Sequence, residues 1–268
     1  MKKAVYICTI VLLLVIFGVS AFMVGNYFWN AKKQADSYSD LAALKESAKE
    51  TQPTVPASTD PTDPEPTFGE ADIRNEDGML KEYAEVYALN DDLVGWIRME
   101  GTKMDYPVMQ TPDNRDYYLK RNFDKEASDW GAIYIREECD INKPSDNITV
   151  YGHNMKDGSM FACLGAYYDK AAWENNPLIF FDTLTESHVY KIFAVFKTTA
   201  ALGEGFSYHQ FVDAANEDDF DDFIATCKDL AFYETGITPV YGDKIICLST
   251  CEYTLEHGRL VVAAVRIA

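Results

Sequence analysis

The stretch "AVYICTIVLLLVIFGVSAFMVGNYFWNA" runs from Ala4 to Ala31 without a charged residue, and it limits the chain's options more than any other feature. A helix needs about 20 apolar residues to cross a bilayer, whereas the core of a cleavable signal is roughly 7–15 residues long. This run exceeds a signal core, and no persuasive small-residue cleavage site follows it. Tyr27, Phe28 and Trp29 stand where an interfacial aromatic belt would, just before Lys32 and Lys33. The short basic head, Lys2, Lys3 and the terminal amine, favours an N-terminus inside the cell and the bulk of the chain outside. Residues 1–31 therefore read as an uncleaved single transmembrane anchor in contact with the lipid bilayer, a cleaved signal peptide being the alternative.

Residues 32–72 read as a polar extracellular spacer. Gln34 to Glu50 is polar with scattered Leu and Ala, a pattern compatible with a short helix. Five of the chain's ten prolines then fall within Thr51–Thr67. Such a segment buries too little apolar surface to fold, and proline keeps it extended.

A folded domain over residues 73–268 follows. The chain is 47% hydrophobic, enough to build a core. It carries 24 basic and 43 acidic side chains, a net charge of -19, which argues against nucleic acid as a partner because phosphate binding needs clustered Lys and Arg. Leu80, Tyr83, Ala84, Tyr87 and Ala88 recur at helical spacing. From Gly95 onward the pattern changes to short β-prone runs between turn residues. These are Val94–Met99, Tyr106–Met109, Ala132–Ile135, Ile148–Tyr151, Val189–Lys197, Lys244–Thr250 and Leu260–Ile267. Strands so spaced predict a mainly β sandwich or barrel. One helix interrupts them: Phe220, Phe223, Ile224, Cys227 and Ala231 form an apolar stripe behind an acidic first turn that suits the helix dipole.

Six cysteines in an exported chain raise the question of disulfides. Cys8 lies in the apolar span, and the other five are scattered, unlike the dense framework of a stapled mini-domain. Cys247 and Cys251 on one strand point the same way but stand roughly 13 Å apart at strand rise, too far to bridge. No Cys or His spacing matches a zinc site, so neither a metal nor any other cofactor is expected.

The last two strands place chemistry together. In "KIICLST" alternation puts Ile245, Cys247 and Ser249 on one face with Cys251. After the loop "EYTLEHG" the strand "RLVVAAVRI" begins at Arg259. Antiparallel pairing of the two would set a thiol and a guanidinium on a common spot, an arrangement suited to acyl transfer: sulfur attacks a carbonyl and the cation stabilises the oxyanion. Equally, a strand-end Cys beside an Arg describes many ordinary surfaces. A titratable partner is needed as well. His153 follows the strand "NITVYG" in a loop held by a scaffold, and His257 in the Cys–Arg loop is its rival. His188 and His209 have no supporting context. Ser249 reads either as a substrate hydrogen-bonding group or as a simple strand serine. Asn154 either orients His153 or forms an Asx turn, and Tyr167 either lines a groove or belongs to the core.

"VYGHNMKDGSMFACL" and "LSTCEYTLEHGRLVVAAVRI" together resemble the sortases, class B in particular. The likeness takes in the strand-His-Asn entry, the "LSTC" strand end and the Arg eight residues after the Cys. Upstream, "LNDDLVGWIRMEGTKMDYPVMQTPDNRDYYLKRNFDKEASDWGAIYI" is also similar to the N-terminal part of class B catalytic domains, so the resemblance spans roughly Met79 to Ala268. It implies a closed β-barrel of about eight strands with N-terminal helix or helices, one long helix between late strands, and a single membrane-spanning helix ahead of it.

The resemblance also implies a cysteine transpeptidase acting on exported proteins that carry a C-terminal Asn-Pro-x-Thr-(Gly/Asn/Ser)-like sorting signal. Cys251 would attack the Thr carbonyl to give a thioester, and an amine of a cell-wall precursor or peptidoglycan peptide would resolve it. His153 would serve as general acid and base, and Arg259 would hold the oxyanion or substrate backbone. An unperturbed Cys titrates near 8.5 and His near 6.5, so unless the site inverts that order most of the enzyme carries thiol and neutral imidazole at neutral pH. The resemblance implies that the minor thiolate–imidazolium population is the active one. The Cys–Arg loop is short compared with several sortase classes, which reduces the pocket wall it can supply. Alternatives are a class B pilin polymerase using a lysine amine, a thiol hydrolase of peptidoglycan stems, and a non-catalytic wall-binding module. A membrane-bound enzyme facing outward, in a Gram-positive bacterium, is the localisation implied.

Overall fold

The computed structural model describes residues 2–50, 73–201 and 203–268; the proline-rich part of the expected spacer lies outside them. Helix α1 runs unbroken over Lys2–Glu50, and it is long and apolar enough at its N-terminal side to cross a membrane. The chain divides into two units, Met1–Asp40 and Leu41–Ala268. The second unit thus includes the end of α1. Lys45 Nζ lies 4.4 Å from the centroid of the Trp96 ring and 3.6 Å from the Asp105 carboxylate. That carboxylate also accepts the Trp96 indole N–H at 2.5 Å. The contact is made by a lysine, whose stem packs on the ring while its charge finds a partner.

After α2 (Lys81–Leu89), eight strands close into one barrel. They are β1 (Leu93–Arg98), β2 (Asp105–Met109), β3 (Ile133–Ile135), β4 (Asn147–Tyr151), β5 (Leu178–Thr183), β6 (Ser187–Thr199), β7 (Ile245–Cys251) and β8 (Gly258–Arg266). Their order around the barrel is β1-β2-β3-β4-β7-β8-β6-β5, with β5 returning to β1. Pairing is parallel for β2–β3 and β4–β7, and antiparallel elsewhere. Closure removes the sheet edges that an open sheet would expose.

Seven of the strands coincide with the β-prone runs read from the sequence, and β5 is the addition. Its buried residues, Ile179 and Phe181, alternate as a strand requires. Leu178 and Phe180 on the other face are apolar too, and the Arg98 guanidinium sits 3.8 Å from the Phe180 ring. Two apolar faces hide the period of two.

The helix between β6 and β7, here called α4 (Glu217–Asp229; α3 is the short Lys170–Asn175), begins at Asn216, whose side chain accepts the Asp219 amide. Such a cap is worth about 1 kcal/mol. Phe220, Phe223, Ile224 and Cys227 of α4 are buried against Phe193 and Phe196 of β6, Ile245 and Cys247 of β7, and Val261, Ala263 and Val265 of β8. One face of the β7–β8 ladder is therefore roofed by α4 along most of its length. The same alternating stripe continues past the roof to Ser249 and Cys251 on β7 and to Arg259 on β8.

Candidate active site

Where that stripe emerges, a cleft of about 260 Å³ opens. Its floor comes from strand ends. In β7–β8, Cys251 is the register partner of Arg259 and Ser249 of Val261. In the parallel β4–β7 pair, Tyr151 is the partner of Ser249, and the Gly152 amide donates to the Ser249 carbonyl at 3.1 Å. His153 therefore leaves β4 beside the end of β7 that bears Cys251. Cys251, His153, Arg259 and Ser249 all line the cleft. Their sequence separations are large; two ladders bring them together.

Each group is held in a definite way. The His153 ring approaches the Leu119 carbonyl through Nε2 at 2.7 Å. A carbonyl oxygen only accepts, so Nε2 carries the proton and Nδ1 is the nitrogen free to take or give one. Gly131, at φ +60°, lets this happen. A Cβ there would stand 2.7 Å from the Leu119 carbonyl oxygen and 3.1 Å from His153 Cδ2. Arg259 Nη1 donates to the Gly258 carbonyl at 3.0 Å, and among the described residues it has no carboxylate partner. Its charge is left for whatever enters the cleft. Asn154 Nδ2 donates to the Cys251 carbonyl at 3.1 Å, tying the histidine loop to the end of β7.

Ser249 is buried, and its Oγ lies 2.5 Å from the Tyr208 hydroxyl, whose acidity burial weakens. Tyr167 does not reach the cleft. It is buried in the 3-10 segment Phe161–Tyr168, and its hydroxyl donates to the Asn176 carbonyl at 2.7 Å, the placement of a core residue. His257 is exposed in the β7–β8 loop at φ 53° and does not line the cleft. His209, passed over in the sequence, does line it.

All six cysteines are free thiols. Burial pushes the Cys139 thiol up to about 11 and raises those of Cys163, Cys227 and Cys247 as well. A thiol so buried is a poor source of thiolate. Cys251 is partly exposed in a cleft that also holds an imidazole and an unpaired guanidinium. Among the described residues no group of three or more His, Cys, Asp and Glu is placed to hold a metal ion.

The remaining walls come from loops. Asn147, fully buried on β4, donates to the Phe211 carbonyl at 2.7 Å and to the Tyr208 carbonyl at 3.3 Å. That clamps the 3-10 turn Tyr208–Gln210 over the cleft. The opposite wall holds Arg115, Asp116 and Leu119, with Tyr134 and Arg136 from β3 and the residue after it. Tyr151 was the one additional residue that alternation could have found, since it shares the stripe that leads to His153.

A thiol, an imidazole with one free nitrogen and a cation that has no counter-ion among the described residues gather at strand ends of a closed eight-stranded barrel, the groups that a cysteine acyl-transfer site would use. The Sortase domain family matches residues 97–267. Sortase B of Listeria monocytogenes is 36% identical over 184 residues, covering 68% of this chain and 72% of that protein. Sortase B of Staphylococcus aureus is 28% identical over 193 residues, covering 71% and 77%. The crystal structure of sortase B from Bacillus anthracis in complex with AAEK1 superposes with a TM-score of 0.70 at 28% identity, covering 90% of this chain and 99% of that one. The chain belongs to the sortase family, among the class B enzymes.

Proposed function

We propose that this protein cleaves a C-terminal Asn-Pro-x-Thr-(Gly/Asn/Ser)-like sorting signal after its Thr and transfers the exported protein to a cell-wall peptide amine. The observation that carries the reading is the register pair Cys251–Arg259, with His153 delivered beside it by the parallel β4–β7 ladder. The thiolate of Cys251 attacks the Thr carbonyl carbon, and the oxyanion that forms falls within the field of Arg259. As the peptide C–N bond breaks, His153 gives its Nδ1 proton to the departing amine, leaving a thioester on Cys251. An incoming amine attacks the thioester, His153 takes its proton, and the new amide leaves as the thiolate is released. Helix α1 would hold the enzyme in the bilayer with the barrel outside, in a Gram-positive bacterium.

The test is a panel of sorting-motif peptides with mass detection of the acyl adduct on Cys251, followed by addition of an amine. Adduct mass corresponding to cleavage after Thr, and its conversion to an amide product, is the expected result. Cys251→Ala should form no adduct. Cleavage within peptidoglycan stem peptides without transfer to an amine would overturn the reading.

A further inference from the structure

The protein has a net charge of -19, yet its cleft is lined by three arginines, Arg115, Arg136 and Arg259, against a single carboxylate, Asp116. The carboxylate is occupied: it accepts the Tyr134 hydroxyl at 2.9 Å and lies 3.7 Å from Arg115 Nε. Arg136 is buried, 8% exposed, and pairs with Glu138: its Nη2 donates to the carboxylate at 2.9 Å, while its Nε lies 2.8 Å from the other oxygen without a hydrogen bond. Arg115 differs. Its contacts to Asp116 and Glu137 both run through Nε, and among the described residues no hydrogen bond engages its Nη atoms. Its side chain is 67% exposed, so an incoming group can reach it. His209 faces the same space. Burial and the charges of Arg136, Arg115 and Arg259, against the opposing charge of Glu138, hold its imidazole below the ordinary value.

Strand geometry gives the distance of this end from the nucleophile. The Arg136 amide donates to the Thr149 carbonyl, and Thr149 is the register partner of Cys247, four residues before Cys251. At strand rise that is roughly 13 Å, and the intermediate level of Tyr151 and Ser249 is roughly 7 Å away. An extended peptide covers these distances in about two to four residues. The end is also walled on two sides, by the Tyr208–Gln210 turn and by the loop bearing Arg115. A two-step transfer requires the acyl half of the substrate to stay bound after the leaving half departs, and a walled stretch suits that half.

We propose that Arg115, Arg136 and His209 form a subsite for a carboxylate side chain of the peptide substrate, carried four residues before the Thr whose carbonyl Cys251 attacks, immediately ahead of the Asn-Pro-x-Thr motif. The proposal rests on the transpeptidase reading above and adds to it the charge of the sorting signal. Arg115 supplies the open fork, Arg136 a buried charge behind it, and His209 a neutral hydrogen-bonding ring. A carboxylate gains charge-assisted hydrogen bonds there that an amide of the same shape does not match.

The experiment uses the full chain in detergent and pairs of peptides differing only in Glu against Gln, scanned from four residues before the scissile Thr to two after it. The readouts are kcat/KM and the Cys251 adduct mass. A Glu peptide should exceed its Gln partner by about tenfold at the position four residues before Thr, just ahead of the Asn-Pro-x-Thr motif. The ratio should shrink with added salt, because an exposed charge is screened. Arg115→Gln should bring it close to one, and Arg115→Glu should favour a Lys peptide at that position. Equal rates for Glu and Gln throughout, a preference only after the Thr, or a ratio untouched by Arg115→Gln would overturn the subsite while Cys251 still acylates. Failure of every peptide to acylate Cys251 would instead overturn the transpeptidase reading, and this one with it.

Discussion

Cys251 and Arg259 close the β7–β8 ladder as register partners, so the thiol and the guanidinium reach the cleft at the same level. Because Arg259 has no carboxylate partner among the described residues, its charge is not spent internally. Arg259→Ala should lower kcat/KM for a sorting-motif peptide by about 10²–10³, the range found when a single oxyanion stabiliser is removed. Arg259→Lys should recover only part of this, since an ammonium lacks the planar fork. Denaturation midpoints should barely move, as the side chain is half-exposed. An Arg259→Ala enzyme with wild-type turnover would remove the cation from the mechanism.

His153 and His257 make contrasting predictions. The Leu119 carbonyl fixes the His153 tautomer and leaves Nδ1 free within the cleft, whereas His257 is exposed in the β7–β8 loop. His153→Ala should cut turnover by about 10²–10⁴, the usual contribution of a positioned acid/base. His257→Ala should be mild. Steady-state rates of the two variants decide the matter, and a more damaging His257→Ala would reassign the base.

The parts of this site legible in the sequence are those governed by strand alternation. Ile245, Cys247, Ser249 and Cys251 share a face in any strand, and a seven-residue loop before Arg259 forces the two ends together. The motif around His153 added the third group through its family likeness. Tyr208 and His209 were illegible because a turn, not a strand, presents them, and its position depends on Asn147 donating to carbonyls more than 60 residues away in sequence. Arg115 sits in a loop whose course no local period records. Strand β5 was hidden for a different reason, its two apolar faces. The end of α1 meets Trp96 through Lys45, a residue that hydropathy scores as solvated.

Stability should fall on mild acidification. Burial, with the charges of Arg136, Arg115 and Arg259, lowers the His209 value below 6.5, and burial with Arg266 lowers that of His188. The unfolded chain therefore takes up protons at a higher pH than the folded one. Stability contributed by the neutral rings is fully present above about pH 6.5 and drains away as pH falls through that value toward the folded ones. The lowered carboxylates, Asp146 and Asp157 among them, act only further down, below their ordinary value of 3.8. Urea midpoints at about pH 7.5 and about pH 5.8 should thus differ more in the wild type than in a His188→Gln, His209→Gln double variant. Equal losses in both proteins would mean that other groups set the slope.

Gly131 gives the sharpest test of how His153 is held. Its φ of +60° already disfavours a side chain, and a Cβ would meet the Tyr118 and Leu119 carbonyl oxygens at 2.8 and 2.7 Å. Backbone strain of this kind costs about 1–3 kcal/mol. Gly131→Ala should destabilise the protein by that amount, read from urea denaturation. Its effect on activity should be larger than folding accounts for. Relief of the clash must move the Leu119 carbonyl, which is the acceptor for His153 Nε2. With that acceptor displaced, either ring nitrogen can carry the proton, and turnover measured where the variant is fully folded should still fall at least tenfold. Gly165→Ala is the matched control, because nothing lies within 4 Å of its added Cβ and its φ is unstrained. A Gly131→Ala enzyme that is less stable but turns over normally would show that the Leu119 contact is structural and does not set the tautomer used in catalysis.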